Sequence, residues 1–521
     1  MNNQNHQGRA IPASLPDSLA EEVEKLKQLD DQLKNSGMEM PGAASQEELD
    51  FLFATSPMIA NACVRQPALL NELLSGLDST FDIEEFADQA EAFIGQPADE
   101  EQLKSVMRRF RLQQILLIAA RDLTGRATLD ESLEHLSELA DQMVRICLQW
   151  HYNELANKHG APQTLDGKPM PLVVLGMGKL GAHELNFSSD IDLILAYEAD
   201  GETQGAKSLS HQDFFMRLAR KLYQGLNDVT VDGFVFRTDL RLRPYGDSGP
   251  LVMSFSAMED YYVTQGREWE RYAMIKARPM GMDVQAGQAL VDMLRPFVFR
   301  RYLDFSAIES LRELKAMINR EVARKDMQEN LKLGPGGIRE IEFIAQAFQL
   351  MRGGRENDLR DRRTQIILAI LGEKAYLELP DAHGLIKAYR FLRKAENRVQ
   401  SMYDRQEHTL PKNEQDQSRL TLAMGFEDWA SFLIELSEHQ THVQTCFDNI
   451  FASQDDKDVD QKKSDSLKGI WDGSLSDEAT CDVLGSKGYD DPEALLERLS
   501  ILRDKGIYLR LSNRGRERFD A

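Results

Sequence analysis

The stretch Val173–Tyr197, VVLGMGKLGAHELNFSSDIDLILAY, decides the fold. An apolar run ends in Gly176, Gly178 and Gly181, a short polar segment follows, and a second apolar run opens on Asp190 and Asp192. The glycines match the dinucleotide fingerprint G-x-G-x-x-G literally. Yet only AHELNFSS separates Gly181 from Asp190, and a strand–helix–strand crossover needs roughly 10–12 residues including its helix. A parallel strand buried on both faces would also read as almost continuously apolar, without two carboxylates at its start. The P-loop reading fails because Lys179 is followed by Leu180, not by Ser or Thr. What remains is a glycine turn that offers backbone N–H groups beside an acidic strand.

In that strand, period 2 sends Asp190, Asp192 and Ile194 to one face and Ile191, Leu193 and Leu195 to the other. The two carboxylates then stand side by side, roughly 6.5 Å apart at Cα. Like charges at that spacing repel and raise a pKa unless a cation sits between them, and Mg²⁺, with its preference for oxygen ligands, is the natural one. A later segment, GFVFRTDLRLR, reads as another strand, with Phe234, Phe236, Leu240 and Leu242 on one face and Arg237, Asp239, Arg241 and Arg243 on the other. A third acid among arginines, next to a glycine turn, suits metal-assisted displacement at phosphorus. The plainer reading is a solvated strand edge.

Outward from this core, the chain from Leu15 to about Gly160 repeats apolar positions with helical period, as in Leu133, Leu136, Leu139 and Met143. The texture changes at the Pro/Gly segment APQTLDGKPMP. The expected organisation is an N-terminal helical region (1–165), an α/β core (166–285), a helical bundle (286–452), a charged linker (453–466) and the start of a further helical domain (467–521). The fold class is therefore α+β, multidomain and mainly α-helical, and the chain reads as a fragment of something longer.

The 521 residues are 42% apolar, too long a chain for one ordinary hydrophobic core. A formal charge of −23 disfavours generic binding to nucleic acid or to an anionic membrane. Neither a signal-like h-region nor a run long enough to cross hydrocarbon is present, which points to a cytoplasmic protein. Cys63, Cys147, Cys446 and Cys481 form no CxxC pair and read as reduced core thiols.

Longer strings carry a resemblance: GMGKLGAHELNFSSDIDLILAY, FRTDLRLRPYGDSGPLVMS, WERYAMIKARP, LGPGGIREIEF and AENRVQSMYDRQEHTLP. The glycine loop, Asp-x-Asp strand and later single Asp are similar to the nucleotidyltransferase core of the DNA polymerase β superfamily. Together the strings resemble the bacterial glutamine synthetase adenylyltransferase/adenylyl-removing family, whose members carry two homologous halves. NFSSDID after a long helical region looks like the deadenylylating half. The resemblance implies phosphorolysis of the tyrosyl-AMP bond of adenylylated glutamine synthetase, with phosphate as attacking group and ADP as product. It also implies Mg²⁺ or Mn²⁺ on Asp190, Asp192 and Asp239, and phosphate oxygens held by Ser189 and the amides around Gly176 and Gly178. Arg241 and Arg243 would neutralise charge, strand-surface salt bridges being the alternative, and Arg339 and Glu342 would support the site. The family's regulator, the uridylylated form of the signal protein PII, would stimulate the reaction. Forward adenylyl transfer from ATP, or a non-catalytic platform for PII and glutamine synthetase, are the rival functions.

Other motifs carry less. Glu340 and Glu342 sit where acids favour a helix N-terminus. Arg108, Arg109 and Arg111 read as a solvated helix face interrupted by Phe110. His439, His442 and Cys446 fall on one helical face as a metal trio would, but no fourth ligand is evident, so packing is the expectation.

Overall fold

The computed structural model describes residues 15–35, 44–164, 166–300 and 329–451, together with Thr480 and Leu484. The expected linker 453–466 lies outside the described residues, as does the region 467–521 apart from those two positions. Up to Phe447 the chain forms one compact unit, and from Asp448 onward it belongs to a second.

After a 3-10 turn at Asp17–Leu19, the described residues form helices α1 (Ala20–Asn35), α2 (Gln46–Thr55), α3 (Pro57–Arg65), α4 (Ala68–Gly76), α5 (Ile83–Ile94), α6 (Glu100–Thr124) and α7 (Leu129–His159). The two long ones start where the sequence supplies oxygen caps. The Asp99 side chain accepts from the Gln102 amide and that of Thr128 from the Glu131 amide. They stop at Gly125 and Gly160, both with positive φ.

A small mixed sheet follows: β1 (Val173–Gly176), β2 (Ile191–Tyr197), β3 (Thr238–Asp239), β4 (Val252–Ser254) and β5 (Arg278–Gly281). The strand order is β3-β2-β1-β5, with β4 pairing β2 off this path. Because β1 and β2 run antiparallel, no crossover links them, and the dinucleotide topology is absent. Between them lie only the single-turn α8 (Gly178–Gly181) and a loop. β2 and β3 are parallel, pairing Ile191 with Thr238 and Asp192 with Asp239.

Helices α7 and α9 (His211–Asn227) cover the sheet. Phe214, Leu218 and Leu222 of α9 are buried, the Tyr152 ring meets Phe214 edge-on at 5.6 Å, and the Tyr152 hydroxyl donates to the Met170 carbonyl at 3.1 Å. Then come α10 (Phe255–Thr264), α11 (Glu268–Met274), α12 (Val284–Val298), α13 (Ile338–Arg352), α14 (Thr364–Glu373), α15 (Leu379–Ser401), α16 (Glu414–Met424) and α17 (Trp429–Phe451).

Three expectations need correction. GFVFRTDLRLR is not one strand: only Thr238–Asp239 pairs. The Asp239 carboxylate accepts from the Arg241 amide at 2.8 Å, which bends the chain out of the sheet, and Pro244 and the positive-φ pair Tyr245–Gly246 keep it in turns. Arg243 is consequently buried, donating to the carbonyls of Leu240 (2.7 Å) and Gly249 (3.3 Å) instead of lying on an open face. The alternation in β2 also fades, since every residue after Asp192 is buried. Finally, Arg108 and Arg111 do not form a solvated face. Arg108 ties off the Gly233 and Asp228 carbonyls, and Arg111 grips Asp404 with both terminal nitrogens, while Arg109 alone of the three is exposed.

Candidate active site

The parallel register brings Asp192 and Asp239 directly opposite each other, with neighbouring strands about 4.8 Å apart. Asp190, two residues before Asp192, completes a row of three acids at the sheet edge. Gly178 faces this row: a Cβ built there would lie 3.7 Å from the Asp192 Oδ2, and its φ of +55° suits a residue without one. The Met177 amide bonds the Asp192 carbonyl at 2.9 Å, fixing the glycine turn to the strand. Gly176, by contrast, leaves room for Met280 and Leu180 and so serves packing behind the turn. Ser189 stands between the turn and Asp190, its amide on the Asn186 carbonyl at 3.5 Å.

Each acid has a distinct environment. Burial, with Asp239 alongside, lifts the Asp192 carboxyl to about 6, against the pull of Lys332. The Arg241 guanidinium, bonded at 2.5 Å, holds Asp239 below the usual carboxylate range. Asp190 accepts from Arg237 Nε at 2.8 Å and from Gln406 Nε2 at 3.2 Å. With these arginines in place the three side chains do not converge into one cluster of donor atoms within 4.8 Å. The chemistry of the set still fits a hard divalent cation: all donors are carboxylate oxygens, and burial beside Asp239 disfavours the Asp192 charge in a way that a bound cation would offset.

Beside Asp190 and Asp239 opens a cavity of about 580 Å³. Its walls carry Arg237, Arg241 and Arg243, and α9 adds Arg220, Tyr223 and Asn227. Arg220 is exposed, and no carboxylate pairs with it among the described residues.

Behind the turn, Lys179 points away from the acids. Its Nζ lies 3.0 Å from both carboxylate oxygens of the fully buried Glu396, which also accepts from Asn186 Nδ2 (2.7 Å) and His408 Nδ1 (2.7 Å) and lies 3.4 Å from Arg393 Nε. Burial alone would raise the Glu396 carboxyl, but these cations hold it well below its ordinary value. The network continues through Lys276, which contacts Glu342 (3.0 Å) and Glu184 (3.3 Å). Glu342 is thus part of a buried ion cluster and not of the acidic row. Arg339 lies nearby on α13, its amide bonded to the Lys332 carbonyl at 3.0 Å. Sequence patterning did not single out Arg220, Lys332, Glu396 or Gln406. Only Glu396 and Gln406 had a signal, lying within the string AENRVQSMYDRQEHTLP.

Comparison with known proteins agrees with this geometry. A family model described as glutamate-ammonia ligase adenylyltransferase matches residues 46–293, which contain all three acids and both cavity walls. A second, described as GlnD PII-uridylyltransferase, matches 312–451. The chain is 47% identical over 91% of its length to the bifunctional glutamine synthetase adenylyltransferase/adenylyl-removing enzyme of Pseudomonas aeruginosa strain PAO1, covering 49% of that protein. It is 44% identical over 94% of its length to the enzyme of the same name from Nitrosococcus oceani, covering 52%. With that from Shewanella loihica it shares 42% identity over 91% of its length, covering 49%. The chain spans about half the length of these curated relatives. It is a homologue of the bifunctional glutamine synthetase adenylyltransferase/adenylyl-removing enzymes.

Proposed function

We propose that this chain removes AMP from adenylylated glutamine synthetase by phosphorolysis, giving ADP and the free tyrosine. The observation that carries the direction is the arginine-walled cavity beside Asp190 and Asp239, a site for a second anion next to the acids. The NFSSDID string supports the same choice.

In this reading phosphate enters the cavity and is held by Arg220 and Arg237, with Arg241 turning from Asp239 toward it. One phosphate oxygen forms a bond to the AMP phosphorus as the bond from that phosphorus to the tyrosine oxygen breaks, and the departing phenolate takes a proton from solvent. The amide-rich turn at Gly178 and Ser189 orients the AMP phosphoryl oxygens. Asp190, Asp192 and Asp239 would hold Mg²⁺ or Mn²⁺, which when bound supplies charge neutralisation at the reacting phosphoryl group. The match of 312–451 to a PII-modifying family supports uridylylated PII as the stimulating partner.

The test is one incubation: adenylylated glutamine synthetase, phosphate and Mg²⁺, with nucleotides identified. ADP is expected. Pyrophosphate production from ATP and unmodified glutamine synthetase, without ADP in the first incubation, would reverse the direction.

A further inference from the structure

Far along the helical region from the acidic row, α15 and α17 pack antiparallel. Lys387 meets Glu435 at 3.3 Å, the Phe391 and His439 rings lie tilted at 41° with centroids 4.7 Å apart, and further toward the start of α15 Gly384 abuts the His442 ring. At the end of this seam Asp381, His442 and Cys446 bring one donor atom each within 4.8 Å of the others. Sequence spacing had grouped His439 with the latter two, but His439 turns to Glu435, 3.3 Å from its Nε2, and Asp381 from the first turn of α15 takes its place.

We propose that Asp381, His442 and Cys446 form a binding site for a borderline-soft divalent cation, Zn²⁺ by preference. Three features carry this. First, Cys446 Sγ and His442 Nε2 lie 3.6 Å apart. A tetrahedral zinc with its sulfur at about 2.3 Å and its nitrogen at about 2.05 Å requires a separation of about 3.6 Å. Second, the donors are held from two helices: His442 and Cys446 at i and i+4 share one face of α17, and Asp381 approaches from α15. Third, the seam keeps a seat for the imidazole. A Cβ on Gly384 would overlap the His442 ring, so a glycine in mid-helix, which costs roughly 0.5–1 kcal/mol relative to alanine, is what lets the ring lie there.

Cys446 is buried whereas Asp381 and His442 are half-buried, so the fourth position faces outward and suits water. On binding, the Cys446 thiol gives its proton to solvent as the metal–sulfur bond forms, with no change of oxidation state. The chemistry differs from that of the acidic row, where oxygen donors alone favour Mg²⁺. The chain would therefore sort two cations by donor softness.

The experiment uses Co²⁺ as the probe on the full chain in saturating Mg²⁺, which fills the acidic row. One equivalent of Co²⁺ should develop a thiolate-to-cobalt charge-transfer band in the near ultraviolet together with intense visible bands of tetrahedral cobalt, and Zn²⁺ should bleach both. Cys446→Ser should abolish the charge-transfer band. Asp381→Asn and His442→Gln should each raise the Co²⁺ Kd at least tenfold while leaving the circular dichroism spectrum unchanged. No charge-transfer band at millimolar Co²⁺ would overturn the site, leaving a plain thiol–imidazole contact. So would a band of undiminished intensity in Cys446→Ser, which would place the thiolate elsewhere. Neither result bears on phosphorolysis, since the readout is spectral and the acidic row holds no sulfur.

Discussion

Two sets of charges flank the Gly178 turn, and they are balanced differently. In the buried cluster behind it, Lys179, Lys276 and Arg393 face Glu184, Glu342 and Glu396, three cations against three carboxylates, with His408 on Glu396. Although burial opposes its charge, Glu342 is drawn down to about 2 by Lys276, Lys179 and Arg393. In the row in front, Asp192 is lifted to about 6. Similar residue types therefore sit in opposite settings: paired charges lock helices α13 and α15 to the core, while in the row Asp190 and Asp239 each carry an arginine and Asp192 has none among the described residues. The two carboxyls sit on opposite sides of their ordinary range because Glu342 has cations packed on it and Asp192 has burial and a neighbouring acid.

The contrast can be broken most sharply at Asp192. Asp192→Asn should lower the phosphorolytic rate by about a thousandfold or more, because it removes a negative ligand at nearly constant volume, yet leave the melting temperature unchanged or higher, because it relieves a disfavoured charge. Retained turnover would show that the row is not catalytic. Glu396→Ala should do the reverse in kind: about 3–5 kcal/mol lost in denaturant unfolding, since it leaves buried cations uncompensated. A loss below about 1 kcal/mol would mean that the cluster is not the lock described here.

Titration sharpens the comparison next. A carboxyl lifted to about 6 must shed its proton to bind a cation, so the apparent Mn²⁺ Kd should be flat above that pH from this group and rise by up to about tenfold per unit below it. In the metal-free chain the same shift runs the other way for stability: the fold takes up the proton near 6 and the unfolded chain near 3.9, so acidification from 7 toward 4.5 adds stability from Asp192. Calorimetric Mn²⁺ titrations at several pH values check the first statement and metal-free melts the second. A smaller effect is expected at the cavity wall. Arg220→Ala should raise the KM for phosphate about three- to tenfold with kcat little changed. Arg241→Ala, at an exposed ion pair, should leave the melting temperature where it was.

Much of the acidic row was legible from local pattern: the glycine turn, Asp190 and Asp192 at period 2, and Asp239 among arginines. The placement of Asp239 opposite Asp192 was not, because register between strands so far apart in the chain is set by packing across the sheet. Arg243 misled because alternation presumes a continuing strand, and the Asp239 side chain ends this one within two residues. The buried cluster was opaque for the same reason at longer range: Lys179 and Glu396 lie 217 positions apart, and each read alone is an ordinary charged residue on a helix.

Asp404 follows α15 in a left-handed conformation, φ +51°. It takes both terminal nitrogens of Arg111 from α6 and, on Oδ1, the hydroxyl of Ser188 at 2.7 Å. Two residues on, Gln406 reaches Asp190. In mechanical language this is a pin joint, where two long levers, α6 and α15, are fastened to the short arm that carries the first acid. Through the pin, residues 188–190 are tied to both levers by side-chain hydrogen bonds. The aim of the first acid is thus set partly from outside the row, by helices whose other ends lie well away from it.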